Sequence, residues 1–388
     1  MRPASLKSRA RSWLAEAEAR HAERTARDEV LSAALVAVPF LLLLLVLEGS
    51  ARAHVYMPDL TVFLHAGRAV LDGVSPYPPA HKALLSKGTS FVYPAPAAVV
   101  MAPLAALPYP LAAVIWTFVG LAAVAGALRL LDVRDSRCYG AAFLTVWGIN
   151  GMGTGSISPL LMLGLAALWR YRNRRLAAAA VLTGLVCVKV FLWPFILWVA
   201  LTGRLRTAVT AALASAVLCL SAWAAIDFRG LESYPHLLAT LASAEQAKSY
   251  SPLALLLGLG ASPLVAEVAV YLAGASFLGA AAVVAYRRRP SSDISAFTLC
   301  LVAALLFSPI VWPHYFLLLL VPVGILHKRL SAAWLIPVAS WFSPPVKQSD
   351  GTIWIVLALL VAAATLIAAH WTASDAPEVY ADPAAEAV

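Results

Sequence analysis

Three ionisable side chains, Asp59, Lys189 and His314, stand where the neighbouring sequence makes an ionisable group expensive. Asp59 heads a polar, Pro/Tyr-rich stretch from Met57 to Pro108, about a dozen residues after the first long apolar run. A carboxylate partly withdrawn from water holds its proton more tightly and can take a proton from a hydroxyl, so Asp59 is a candidate general base. It also precedes Leu60-Thr61-Val62-Phe63, and capping of a helix accounts for it equally well. Lys189 lies in strongly apolar sequence. An ammonium there needs an anion, and a phosphate attached to a lipid is an obvious partner; snorkelling from a helix end is the other reading. His314 follows Trp312-Pro313 and can hydrogen-bond a phosphate or a sugar hydroxyl, or simply be packed.

Further candidates are secondary. Tyr77, Tyr93, Trp116, Trp147, Trp193 and Trp312 suit an interfacial aromatic belt, and Tyr77, Tyr93 and Trp312 are also placed to stack on a sugar. His65 and Arg68, at i+6 and i+9 from Asp59, are weak candidates for substrate contact, because a helix need not bring them to its face. Cys138, Cys187, Cys219 and Cys300 are scattered through apolar segments with no CxxC pair, and read as small buried side chains. No metal site is expected, and no acidic pair such as DxD is present to hold one.

The elements that position these groups must cross a membrane. The chain has 388 residues, 61% of them hydrophobic and only 13% charged, against about 25% charge in a soluble protein. Runs such as 31–47 and 351–371 fit helices that satisfy their own backbone in lipid, and the alternating segments of an outer-membrane barrel are absent. The expectation is an all-α integral membrane protein, a polytopic bundle of about twelve transmembrane helices with an extracytoplasmic first loop. Residues 1–30, rich in Arg, Glu and Ala, form a cytoplasmic basic segment, either an amphipathic helix on the inner leaflet or a solvated tail. Residues 31–371 form the transmembrane domain, with 48–92 as its outer catalytic loop, and 372–388 an acidic cytoplasmic tail. Ala51-Arg52-Ala53 mimics a cleavage site, but the apolar run before it is too long for a signal core, so it is read as retained.

Positive charge sets the orientation. The clusters at 2–27, Arg129–Arg137, Arg170–Arg175, Arg204 with Arg206, Arg287–Arg289 and Lys328 with Arg329 hold 21 of the 29 Lys and Arg residues. Such loops stay in the cytoplasm. Between successive clusters lie about 32 residues (Arg137 to Arg170), about 28 (Arg175 to Arg204) and about 38 (Arg289 to Lys328). A full span needs roughly 20 residues, so each stretch should be a hairpin of short helices with a tip buried in protein. The tips are Asn150–Pro159, Lys189–Pro194 and Ser308–His314, all broken by Pro, Gly or polar residues. One continuous span over 176–199 is the alternative for the second. Both termini are then cytoplasmic. The outward side holds 48–108, 227–262, the tips and Ser343–Gly351; segment 94–107 is too short and Pro-rich to read as a span, and re-enters or lies at the interface.

The ordered set Asp59, Ala66, Gly73-x-x-Pro76-Tyr77, Tyr93-Pro94, Pro103-Leu104, Leu107-Pro108, the Lys189 tip and Ser308-Pro309 with Trp312-x-His314 resembles glycosyltransferase family 87 over most of 55–325. These are integral-membrane enzymes of the GT-C class, typified by polyprenol-phosphate-mannose-dependent α-1,2-mannosyltransferases of actinobacteria. The resemblance implies Asp59 as catalytic base, Lys189 and His314 near the donor phosphate, and an active site facing outside the cytoplasm across the plasma (inner) membrane. It implies a polyprenyl-phosphate sugar donor, most simply mannose, a glycolipid or cell-wall glycan acceptor, and no cofactor; no nucleic-acid partner is expected. Two departures bear on the sugar. Tyr93-Pro94-Ala95-Pro96 stands where the family often has Tyr-Pro-Pro, and Gly155-Ser156 where it often has Gly-Gln. A transporter or lipid flippase without transferase activity is the alternative; it calls for repeat-related polar residues near the midplane, and no internal repeat is evident. A non-catalytic membrane assembly protein is a third reading.

Overall fold

The structure, a computed structural model, describes residues 57–343 apart from 86, 87, 89, 288 and 290, then 351–373, and scattered positions between 29 and 48. Most of the basic segment 1–30, the Ala51-Arg52-Ala53 site, most of the turn 343–351 and most of the tail 372–388 lie outside the described residues, and the run 31–47 is described at nine of its 17 positions, all helical. The described part is all helix, turn and loop, with no strand.

Helix α1 (Pro58–Leu71) is followed by α2 (Ala95–Ala105) and the long α3 (Tyr109–Leu130). Then come α4 (Ser136–Leu144), α5 (Val146–Gly153) and α6 (Ser158–Arg170). Helix α7 (Arg175–Val188) leads through Lys189 to α8 (Val190–Leu201) and α9 (Leu205–Ala224). Next are α10 (Tyr234–Glu245), α11 (Pro252–Gly258), α12 (Pro263–Tyr286) and α13 (Ser292–Phe307). The last are α14 (Pro313–Leu326, opening as a 3-10 helix), α15 (Ala332–Phe342) and α16 (Gly351–Ala373).

Among the described residues four helices are long and apolar enough to cross a membrane, α3, α9, α12 and α16 up to Trp371, and a fifth span results if bent α5–α6 counts as one. The expected twelve spans are therefore not twelve full-length helices. Short apolar helices supply the rest of the bundle, because the intervals between basic clusters leave no room for longer ones. α2 is 11 residues long and too short to cross alone.

The three hairpins are present. α5 and α6 bend by 120° at their break. α7 and α9 run the same way: Thr183 donates to the Ala211 carbonyl at 3.3 Å and Cys187 to that of Ser215 at 3.6 Å, each four residues on. The intervening α8 must therefore run back, which removes the single-span reading of 176–199. The base of this hairpin is closed by charge. Asp293, at the start of α13, accepts from Arg172 Nε at 2.9 Å and Arg204 Nη2 at 2.8 Å, and Arg204 Nε donates to Asn173 at 3.0 Å. Arg137 pairs with Asp135 at 2.9 Å, whose carboxylate also accepts from the Leu330 backbone, two residues past Lys328. Lys328 caps the carbonyls of Leu131 and Gly324. α16 ends against the same layer, with Ala369 accepting from or facing His327 at 2.9 Å and His370 facing Thr298 at 3.1 Å. The basic residues between Leu131 and Lys328 named here thus share one end of the bundle, and the hairpin tips point to the other.

Candidate active site

Asp59 sits in the first turn of α1, after Pro58 and after Met57, whose φ of 31° is left-handed. Pro at the first helical position needs no hydrogen bond there. Met57 holds the N-cap position and Asp59 is the second residue of the helix, so Asp59 is not its cap; its backbone N–H donates to the Thr154 carbonyl of the first tip at 2.9 Å. The carboxylate is left free to face inward, with 28% of the side chain accessible. Burial pushes its pKa from 3.8 up to about 6, against the opposing pull of the Lys189 ammonium and, more weakly, of the Thr154 side chain.

The three tips meet around it. The first is held by Gly155, at φ +68°, where a side chain would strike Leu60 and Met57 of the Asp59 turn; its carbonyl accepts from Trp116 Nε1 at 2.8 Å. The second breaks at Lys189, whose extended backbone (φ −141°) precedes a 3-10 turn and Pro194. The Lys189 ammonium does not snorkel. It bonds the Tyr315 hydroxyl and lies 4.0 Å above the Tyr93 ring and 4.8 Å from that of Tyr315. A desolvated cation over an aromatic face gains about 2 kcal/mol or more. Phe191 stacks on Tyr315 at 5.3 Å and fixes that ring. The third tip carries His314, only 5% exposed. Its Nδ1 is 3.0 Å from Asn150 Oδ1 and its Nε2 3.9 Å from Asp59 Oδ2. The tip is clamped from outside: Tyr250 N–H donates to Val311 O at 2.7 Å, Val311 N–H to Ser249 Oγ at 2.8 Å, and Ser251 Oγ to Pro309 O at 3.1 Å.

The structure therefore gathers Asp59, Lys189, His314 and Tyr93. Tyr77 stands one layer behind, donating to the Tyr93 carbonyl at 3.0 Å and stacking on Trp223 at 4.8 Å. Trp312 is half-buried against the main core at the start of the returning limb. His65 and Arg68 need correction. α1 is one continuous helix, so i+6 and i+9 leave the Asp59 face; both are exposed, and Arg68 pairs with Asp72 at 3.5 Å. Three residues of the cluster were not singled out from sequence: Tyr315, Asn150 and Thr154. Tyr315 adjoins His314, and the other two lie in the first tip, so the breaks themselves were the available signal. Among the described residues no group of three His, Cys, Asp or Glu side chains gathers as metal ligands would.

An acid, a caged ammonium and an imidazole at one recess can accept a proton and meet an anion side by side. The family model of glycosyltransferase family 87 matches residues 91–309, more than half of the chain. The chain belongs to glycosyltransferase family 87. No curated protein and no solved structure matches it at a significant level. As a family 87 member it is a membrane glycosyltransferase, with sugar donor and acceptor as its substrates. The matched region takes in Tyr93, the first tip and Lys189 but ends before His314 and starts after Asp59. Those two enter the site through the geometry of the tips that the matched region builds.

Proposed function

We propose that this family 87 glycosyltransferase moves a hexose, mannose in the first instance, from a polyprenyl-phosphate donor to a hydroxyl of a glycolipid or cell-wall glycan. The observation that carries this is the convergence of Asp59, Lys189 and His314 from separate elements at the end of the bundle opposite the basic layer. The acceptor hydroxyl gives its proton to Asp59 as its oxygen attacks the anomeric carbon. The bond to the phosphate breaks, and charge developing on the phosphate is met by Lys189 with His314 beside it. A single displacement inverts the centre, so a β-linked donor gives an α-linked product; the family resemblance favours α-1,2. Tyr93 shields the ammonium and offers its ring edge to the sugar. A prenyl phosphate is an adequate leaving group, so the residues present suffice for the step. The site opens outside the cytoplasm, at the surface where lipid-linked sugars present their head groups.

The test is direct. Purified protein in liposomes is given labelled polyprenyl-phosphate-mannose and a glycolipid extract. Label should pass to a glycolipid, with the configuration at the anomeric carbon inverted. Label that stays on the prenyl phosphate, whatever glycolipid is supplied, removes this donor from the proposal; label that crosses the bilayer without transfer supports a flippase instead.

A further inference from the structure

His314 faces two acceptors, and that fixes where its protons sit. The imidazole has two nitrogens; in the neutral ring one carries hydrogen and the other a lone pair. Nδ1 lies 3.0 Å from the Asn150 amide oxygen, which only accepts. Nδ1 must therefore carry the hydrogen, and the lone pair falls on Nε2. Nε2 in turn looks at the Asp59 carboxylate across 3.9 Å. That is beyond a direct hydrogen bond and closes to one with a small shift of either side chain. Asn150 is itself fixed. Its carbonyl accepts both the backbone N–H and the hydroxyl of Thr154 at 2.9 Å, and Thr154 holds the backbone of Asp59. A Cβ at the next residue, Gly151, would meet His314 Cβ at 3.4 Å, an ordinary contact, so the first and third tips are neighbours here.

We infer that Asn150 is a positioning residue that locks His314 as the Nδ1–H tautomer, so that the Nε2 lone pair faces Asp59 and steadies the carboxyl O–H once Asp59 has taken its proton. For its chemistry this rests on the transfer reading; for its geometry it does not. The acceptor O–H bond breaks toward Asp59 Oδ2 while the new oxygen–carbon bond forms and the carbon–phosphate oxygen bond breaks, its electron pair staying on the phosphate. The proton then sits on Asp59, whose O–H faces the Nε2 lone pair, and passes on to the departing phosphate, which returns Asp59 to the carboxylate. His314 stays neutral throughout, because burial and the Lys189 ammonium both oppose an imidazolium there.

The experiment reads the tautomer and the turnover separately. Full-length protein labelled with ¹⁵N-histidine is placed in liposomes for solid-state NMR, and the His314 signals are assigned by their loss in His314→Gln. At pH 8 the wild type should show a protonated Nδ1 and a bare Nε2. Asn150→Leu should move the proton to Nε2 or mix the two forms, and Asn150→Asp, which keeps an acceptor, should preserve the wild-type pattern. In the transfer assay Asn150→Leu should lower kcat about tenfold, as loss of one hydrogen-bonding partner of the base does, with the donor KM little changed, and Asn150→Asp should recover most of it. A protonated Nε2 in the wild type, an unchanged spectrum in Asn150→Leu, or equal impairment of both variants overturns the inference. If the wild type transfers no sugar from the prenyl phosphate, the proposed donor falls, while the spectrum still decides the role of Asn150.

Discussion

At the scale of single residues, Asp59 makes the sharpest prediction. Asp59→Asn keeps the shape and the inward face but cannot take a proton, so turnover should fall by about 10²–10⁴-fold in the liposome assay. Ionisation governs the pH profile. With the pKa pushed up to about 6, activity should rise with pH along a limb centred near 6. The same shift has a stability counterpart. Between 3.8, the ordinary value, and about 6 the folded state binds more protons than the unfolded one, so stability should fall as pH rises through that window and then level off. Melting curves of wild type and Asp59→Asn against pH check this, because the slope should vanish in the variant. Lys189→Met should raise the donor KM at least about tenfold, since the caged ammonium is the cation nearest the base; unchanged turnover at limiting donor would remove Lys189 from the donor site. These residues were legible because a charge or imidazole in apolar sequence needs a reason. Tyr315 and Asn150 were not, since a Tyr in an aromatic-rich chain and an Asn before a Gly run have ordinary explanations until the tips are folded together.

At the scale of elements, the hairpins were legible and the faces were not. The spacing between Arg175 and Arg204 leaves room only for a short helix out and a short helix back, and the Arg172–Asp293–Arg204 cluster shows the two ends meeting. Asp293 is the common partner, a feature no local pattern announces, because it arrives from α13. Asp293→Asn should lower stability by about 1.5–3 kcal/mol, the range for hydrogen bonds to charged groups, while leaving donor KM near wild type, because it lies at the opposite end of the hairpin from Lys189. Helix α1 shows the reverse case. Its periodicity did not reveal which side packs on α2. Gly67 settles that side, since a Cβ there would lie 2.8 Å from the Met101 backbone. Gly67→Ala must push α1 and α2 apart, at a cost of about 1–3 kcal/mol, and should lower kcat through displacement of Asp59. A Gly67→Ala protein with wild-type melting and turnover would show that α1 is not held by this contact.

At the scale of the whole molecule, the decisive property is polarity between two ends. One carries two charged groups, Asp135 with Arg137 beside Lys328, and Asp293 with Arg172 and Arg204. The other carries the tips, Asp59 and the loop 249–251 that clamps the third tip. Short basic loops resist translocation, so the proposed orientation puts these charged groups in the cytoplasm and the site outside it, where the proposed lipid-linked donor and surface glycolipid would meet. Charge spacing counts crossings of the chain and not the length of each helix, so the four long spans among the described residues were not separable in advance from the short ones. Two exposed positions test the orientation. Glu232 lies in the turn after α9 that reaches Gly73 and Ser75 through its neighbour Arg229, at the site end. Arg206 lies in the first turn of α9, two residues from Arg204, at the basic end. Each is changed to Cys in a background in which Cys138, Cys187, Cys219 and Cys300 are Ser. A membrane-impermeant maleimide applied to intact cells should label Glu232→Cys at once and Arg206→Cys only after permeabilisation. The opposite pattern would put Asp59 on the cytoplasmic side, where the acceptor glycans of a cell surface are absent, and the proposed donor and acceptor would fall together while the family membership and the convergence of the tips stood.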